Sequence, residues 1–410
     1  MNEYQYQAKE KKSFLTTPSV TVPDGYNPYR DDLSLIKEVA TDFPDALQGV
    51  NPLPNEDAFA HSGRLASEWK FIRSEAFKRL KKSALWMSLM LLMYLGIYYS
   101  ISFFASMLLS VLPADPIVTE IANNVFSISM YALIFPAVII TANIGHKHKT
   151  YTFFKRPQVS KGFICKWCVI ALGMTYFVSF VFQFIFSVLE AMGMYINDLS
   201  SPIPEHPLGL VFYFITVSVL APIFEEILFR GIFLTHNLKF GCMFASVITG
   251  IFFGLIHQNH EQMFYAAVLG VIFAYMDIKA GSIIPSIIAH ASVNTFSFIA
   301  TLLLHFTNYN ETMTDPSIRL DGSPVALLLL GMLDYVVYAL ILTSIILIIV
   351  EFTKNRSALN LPKGDSGLTA SEKGFTFYLS PTVICIILVL IVCIITVSFL
   401  PLEQILSYIL

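Results

Sequence analysis

From Ala84 onward the chain runs in long apolar stretches broken by short polar segments. A bilayer's hydrocarbon core is spanned by about 20 mostly apolar helical residues. On that measure about nine stretches qualify: Ala84–Leu112, Val125–Ile144, Phe163–Tyr195, Leu208–Phe229, Gly241–His257, Met263–Ile278, Ile283–Phe306, Val325–Phe352 and Phe377–Leu400. Gly241–His257 and Met263–Ile278 are short, and are expected to tilt, break or lie inside the bundle. The pattern predicts an all-α polytopic transmembrane helix bundle of about eight to nine spans.

Upstream the pattern changes twice. Residues 1–62 are rich in Pro, Asn, Asp and Ser with weak apolar periodicity, and are expected to form a disordered tail. Over 63–82, Leu65, Trp69, Ile72, Ala76 and Leu80 recur at helical spacing beside a basic face that includes Arg64, Lys70, Arg73, Lys78 and Arg79. This reads as an amphipathic juxtamembrane helix on an anionic leaflet, leading into the first span. The expected organisation is therefore a tail (1–62), this basic helix (63–82), N-terminal spans (83–207), a core holding the candidate chemistry (208–306) and C-terminal spans (307–410).

Composition excludes an ordinary soluble domain. The 410 residues are 55% hydrophobic and 13% charged, against about 25% charged in an average soluble protein. A net charge of −3 selects no partner, and no nucleic-acid partner is expected. The distribution of Lys and Arg does carry information. Gly145–Lys161 and Thr353–Gly374 are basic loops, whereas Pro113–Asn124 and Asn197–Pro207 carry no Lys or Arg. An inside N-terminus satisfies these assignments. The first apolar run is expected to serve as an uncleaved anchor. The five cysteines lie in or beside apolar runs and do not form a disulfide framework. Cys165 and Cys168 have CxxC spacing without a second ligand pair, and are read as packing residues.

The candidate chemistry begins at Glu225 and Glu226, which follow the apolar run Leu208–Phe224. Ionisable groups inside membrane segments are rare, usually paired, and functional by default. Adjacent helical residues point about 100° apart, so the two carboxylates cannot do the same job. Glu226 and Arg230 are four apart and share a face, so they are expected to pair. Glu225 is then free to face a cavity, where a carboxylate can serve as general base toward water. Read alone, the pair fits equally well a helix end with solvated charges. His257 closes the run Phe252–His257, and read alone fits an interfacial histidine. His290 and Asn294, again four apart, could donate to a developing oxyanion or could simply hold helices together.

Taken in order, these residues resemble the CAAX prenyl protease and bacteriocin-processing (CPBP, or Abi) family of intramembrane proteases. The family carries EExxxR, FxxxH and HxxxN in succession, matched here by Glu225-Glu226-x-x-x-Arg230, Phe253-x-x-x-His257 and His290-x-x-x-Asn294. Ala221-Pro222, Phe229-Arg230-Gly231 and Gly281-Ser282-Ile283 extend the likeness, which covers about residues 208–300. The resemblance implies peptide-bond hydrolysis within the membrane. Glu225 would activate water, His257 would help hold it, His290 and Asn294 would bind the oxyanion, and Glu226 and Arg230 would support the site. The family was long regarded as metalloproteases. Glu225, His257 and His290 could supply the three protein ligands a zinc site needs, but no HExxH pair exists, and the expectation is a site without metal or other cofactor.

The expected partners are the lipid bilayer and a membrane-associated peptide or protein substrate, such as a leader peptide. The expected location is a bacterial plasma membrane, with the N-terminus cytoplasmic. Two other readings stay open. A non-catalytic scaffold or bacteriocin-immunity factor would not need all four candidate residues. A transporter would use the buried Glu and His as a proton relay, but the paired half-helices marked by Gly or Pro are not seen. One tension is geometric. If the fifth run starts at Gly241, His257 falls near its outer end, far from Glu225.

Overall fold

The computed structural model describes residues 20–21, 37–38, 58–111, 115–146, 153–197, 203–307, 324–354, 361 and 368–400, without the side chains of 20–21, 37–38, 58–72, 116 and 141–146. Ten helices make up almost all of it: α1 (Ala58–Leu109), α2 (Pro116–His146), α3 (Lys161–Ala191), α4 (Pro207–Phe240), α5 (Cys242–Leu255), α6 (His260–Ala280), α7 (Ile284–His305), α8 (Pro324–Lys354), α9 (Ala370–Tyr378) and α10 (Pro381–Phe399). A two-residue antiparallel pairing joins β1 (Val20–Thr21) to β2 (Lys37–Glu38). Most of the tail expected to be disordered lies outside the described residues.

Eight helices are long and apolar enough to cross a membrane: α1 from Arg73 onward, α2, α3, α4, α6, α7, α8 and α10. The chain is a multi-pass membrane protein. Of the two short runs, Met263–Ile278 is part of a full 21-residue helix, α6, while α5 is only 14 residues long. The basic stretch over 63–82, expected to lead into the first span, runs into it as one helix, the 52-residue α1. Its apolar positions Ala76 and Leu80 are buried with Phe377 of α9 in the main core cluster. Arg73 pairs with Glu372 of α9, so this part of α1 packs on protein.

α6 is the central helix. It is 56% buried, whereas no other long apolar helix exceeds 28%. Glycines allow this, because lipid supplies little force to drive helices together and close backbone approach takes its place. Gly250 and Gly254 of α5 lie against α6, and a Cβ at Gly270 would meet the Gly250 Cα at 2.5 Å. On its other side α6 presents Phe273 and Met276 to Trp167 and Ile170 of α3.

The turn between α4 and α5 removes the tension over His257. α4 does not end near Phe229. It continues to Phe240, fifteen residues past Glu225, which is about 22 Å along a helix. The continuation is buried against α1, where Ser83 Oγ donates to Asn237 Oδ1 at 2.8 Å. Gly241, at φ 115°, reverses the chain in a conformation that favours glycine. The sixteen residues from Gly241 to His257 then climb about 24 Å back. His257 therefore returns to the level of Glu225 without any break in α5.

Substitution of Gly270 tests the central packing. Gly270→Ala forces a backbone-to-backbone contact apart, and is expected to cost about 1–3 kcal/mol of stability as overpacking does. Thermal unfolding in detergent would read this as a clear fall in Tm. Gly96→Ala, whose Cβ meets nothing within 4 Å, is the control expected to leave Tm unchanged.

Candidate active site

Two π-helical stretches in α4, Thr216–Leu220 and Ile227–Leu234, flank the six-residue segment Ala221–Glu226. Such widened turns are rare and occur often at functional sites. Pro222 accounts for the first. It lacks an N–H, and in an α-helix its ring would clash with the carbonyl four residues back. The N–H of Ala221 bonds to Thr216 O, five residues back. The Val217 carbonyl thus loses its usual partner at Ala221, and Pro222 cannot replace it. Asn294 fills this gap, with Nδ2 donating to Val217 O at 2.9 Å. The amide of HxxxN thereby fastens α7 to the widened turn of α4.

Glu226 and Arg230 are fully buried. Glu226 Oε2 lies 3.1 Å from Arg230 Nε, the ion pair that the spacing predicted, though its geometry falls short of a hydrogen bond. Its other oxygen, Oε1, accepts from His290 Nδ1 at 2.9 Å, a contact that sequence reasoning missed. Glu226 thus binds a cation on its own helix and an imidazole on α7. Around Arg230 the counter-surface is aromatic. Its guanidinium carbon is 4.3 Å from the Phe253 ring centre and 5.2 Å from that of Phe273. Nη2 also donates to Gly270 O at 3.3 Å. A buried cation needs such compensation.

The Phe of FxxxH now has a physical role. Besides covering Arg230, Phe253 accepts from His257 Nδ1 through its carbonyl oxygen at 2.6 Å. Its ring also meets His257 and His290 edge-on, with centroids 5.1 and 5.6 Å away. A carbonyl can only accept, so Nδ1 of His257 carries the proton and Nε2 is left available to the cavity. Just beyond, Gln258 holds φ 56°, an uncommon left-handed conformation for a residue with a Cβ. Asn259 then caps α6 by accepting from Gln262 N at 2.8 Å. This sharp reversal fixes where His257 stands.

Glu225 has a different environment. It is half-buried, and its Oε2 is enclosed with no hydrogen-bond partner. Two cavities meet at it. One, about 320 Å³, is lined by Glu225, His257 and the tyrosines Tyr94 and Tyr131 of α1 and α2. The other, about 340 Å³, is lined by Glu225, His257, His290 and Asn294. All four candidate residues therefore share one chamber, and Glu225 with His257 forms the wall between it and the next. Tyr94 and Tyr131 lie far away in sequence, and no local pattern marks them. Asp277 of α6 was also missed. It is fully buried, and its Oδ1 accepts from Ser286 N at 3.1 Å at the α6–α7 turn.

As possible cation ligands, Glu225, His257 and His290 line the same chamber. Yet among the described residues no three His, Cys, Asp or Glu side chains are grouped as the ligands of one ion would be. Cys165 and Cys168 are free, at the start of α3.

Residues 207–296 match the family described as "Rce1-like: Type II CAAX prenyl endopeptidase Rce1-like". This segment belongs to the CPBP family. The CPBP segment is also similar to a protein of Bacillus subtilis (strain 168) named "Putative membrane peptidase YdiL", with 34% identity over 89 residues, 22% of this chain. The chain spans only 36% of that relative's length. No solved structure matches significantly. Beyond the CPBP segment lie α1, α2, α3, α8, α9 and α10, and the first two of these complete the tyrosine-lined cavity at Glu225.

The two glutamates should separate in a stability measurement. Removing one partner of a buried ion pair costs about 3–5 kcal/mol, so Glu226→Gln should unfold at markedly lower denaturant or temperature. Glu225→Gln breaks no ion pair, and should unfold within error of the wild type. Equal losses would contradict the assignment of Glu226 as the structural carboxylate.

Proposed function

We propose that this protein is an intramembrane endopeptidase that hydrolyses a peptide bond in a membrane-associated protein or peptide. The observation that carries this reading is the contrast between neighbouring carboxylates: Glu226 is fully buried between Arg230 and His290, while Glu225 has no ion pair among the described residues and lines two cavities. The CPBP match and the name of the Bacillus relative support the same reaction.

In this mechanism Glu225 and Nε2 of His257 accept hydrogen bonds from one water. As the water oxygen attacks the scissile carbonyl carbon, Glu225 takes its proton. The charge that develops on the carbonyl oxygen meets His290 and the second Nδ2 hydrogen of Asn294, the first being held by Val217 O. With Nδ1–H of His290 committed to Glu226, donation from Nε2 requires the imidazolium, and Glu226 is the counter-ion such a cation needs. The C–N bond then breaks, Glu225 returns its proton to the leaving nitrogen, and a carboxyl group and an amine are released. No step uses a metal.

We further place the enzyme in a bacterial plasma membrane with its N-terminus in the cytoplasm. The basic residues Lys155 and Arg156 before α3, Lys161 at its start and Lys354 at the end of α8 support that orientation.

The test is cleavage of membrane-associated peptides by the purified full-length protein in proteoliposomes, with products read by mass spectrometry. Glu225→Gln should lower kcat by about 10²–10⁴, the usual contribution of a positioned base. His257→Ala should follow it, and a strong zinc chelator should leave the rate unchanged. Full activity in Glu225→Gln would sink the mechanism, and loss of activity to chelator restored by zinc would sink its metal-free form.

A further inference from the structure

Asp334 of α8 is a carboxylate that the proposed reaction does not use. It lies ten residues after Pro324, about 15 Å along the helix, roughly a third of the way through this 31-residue apolar span. α8 is the least enclosed of the long apolar helices, with 6% buried. Asp334 itself is exposed, and has no hydrogen-bond or ion-pair partner among the described residues. An unpaired charge at that depth is expensive, and calls for a partner.

The packing of α8 on α3 shows where the partner fits. The two helices run antiparallel. Lys166 Nζ meets Glu351 Oε1 at 2.5 Å, and Gly173 lies against Leu340 and Ser344 of α8. The same register puts Gln183, another exposed polar residue, level with Asp334. There the helices part, and a groove of about 760 Å³ lined by both residues opens between α3, α6, α7 and α8. Tyr265 and Ser297 line this groove and also the chamber of Glu225, so the two lie side by side. Gly331, one turn before Asp334, also lines the groove, and its Cβ position meets nothing within 4 Å. A small residue facing open space in a membrane is where another helix can approach closely.

We propose that this groove docks a transmembrane helix of the substrate, one carrying a lysine or arginine within its apolar span, at the level of Asp334, that pairs with it. This rests on the peptidase reading and specifies its substrate class. A second copy of the chain fits poorly. Arg230, the cation well inside α4, is already buried against Glu226. A symmetric dimer through this face would set Asp334 against Asp334.

The experiment uses the full-length Glu225→Gln protein in nanodiscs, so that binding is read without hydrolysis. The probes are synthetic leucine–alanine transmembrane peptides with Lys, Leu or Glu at the centre. The Lys peptide should bind at least tenfold tighter than the Leu peptide. Asp334→Asn should abolish that difference, and Asp334→Lys should transfer the preference to the Glu peptide. Equal binding of the three peptides, a Lys preference that survives Asp334→Asn, or a dimer that Asp334→Asn dissociates would each overturn the proposal. The same peptides offered to protein with Glu225 intact separate the two claims. A Lys preference without cleavage overturns the peptidase reading alone, and cleavage without a Lys preference overturns the docking site alone.

Discussion

Glu226 is the group on which the rest of the site depends. Its two carboxylate oxygens hold Arg230 on α4 and His290 on α7. A buried carboxylate with a single partner would be a poor bargain, because desolvation can exceed the attraction of one pair. Two partners, with aromatic faces around the guanidinium, change the balance. They also make the arrangement specific. Arg230 reaches α6 through Gly270 O and α5 through the Phe253 ring, so one carboxylate ties together the four helices of the CPBP segment, α4 to α7. That frame leaves Glu225 free for chemistry.

Backbone irregularity serves the same end. Pro222 widens the turn before the glutamates, and the carbonyl this frees is taken by Asn294. Gly241 and Gln258 adopt left-handed conformations at either end of α5. Each departure from a regular helix sets the position of one polar side chain: Asn294 through Val217, and His257 through the reversal at Gln258. Non-ideal backbone is tolerated in membranes only where it is buried in protein or lines a cavity, and Val217 and His257 both line the chambers at Glu225.

Much of this was legible in the sequence, because it is local. The four-residue spacings predicted the Glu226–Arg230 pair and the shared face of His290 and Asn294. The length and composition of the runs predicted an all-α polytopic bundle. What could not be read depends on long-range packing. The charges at Glu225, Glu226 and Arg230 fitted the end of a span, and the apolar run was expected to stop at Phe229. In fact Arg230 is fully buried and α4 continues to Phe240, which displaced every estimate of depth for His257. The Glu226–His290 bond joins residues 64 apart in sequence. Tyr94 and Tyr131 reach Glu225 from helices outside the CPBP segment altogether.

The account stands on Glu226 acting as a joint between α4 and α7. A double-mutant cycle of Glu226→Gln and His290→Gln, read as unfolding free energy, measures that joint most directly. Residues sharing one buried network couple by about 0.5–3 kcal/mol, and the account predicts a value in the upper half of that range. Additivity of the two substitutions to within about 0.3 kcal/mol would contradict it.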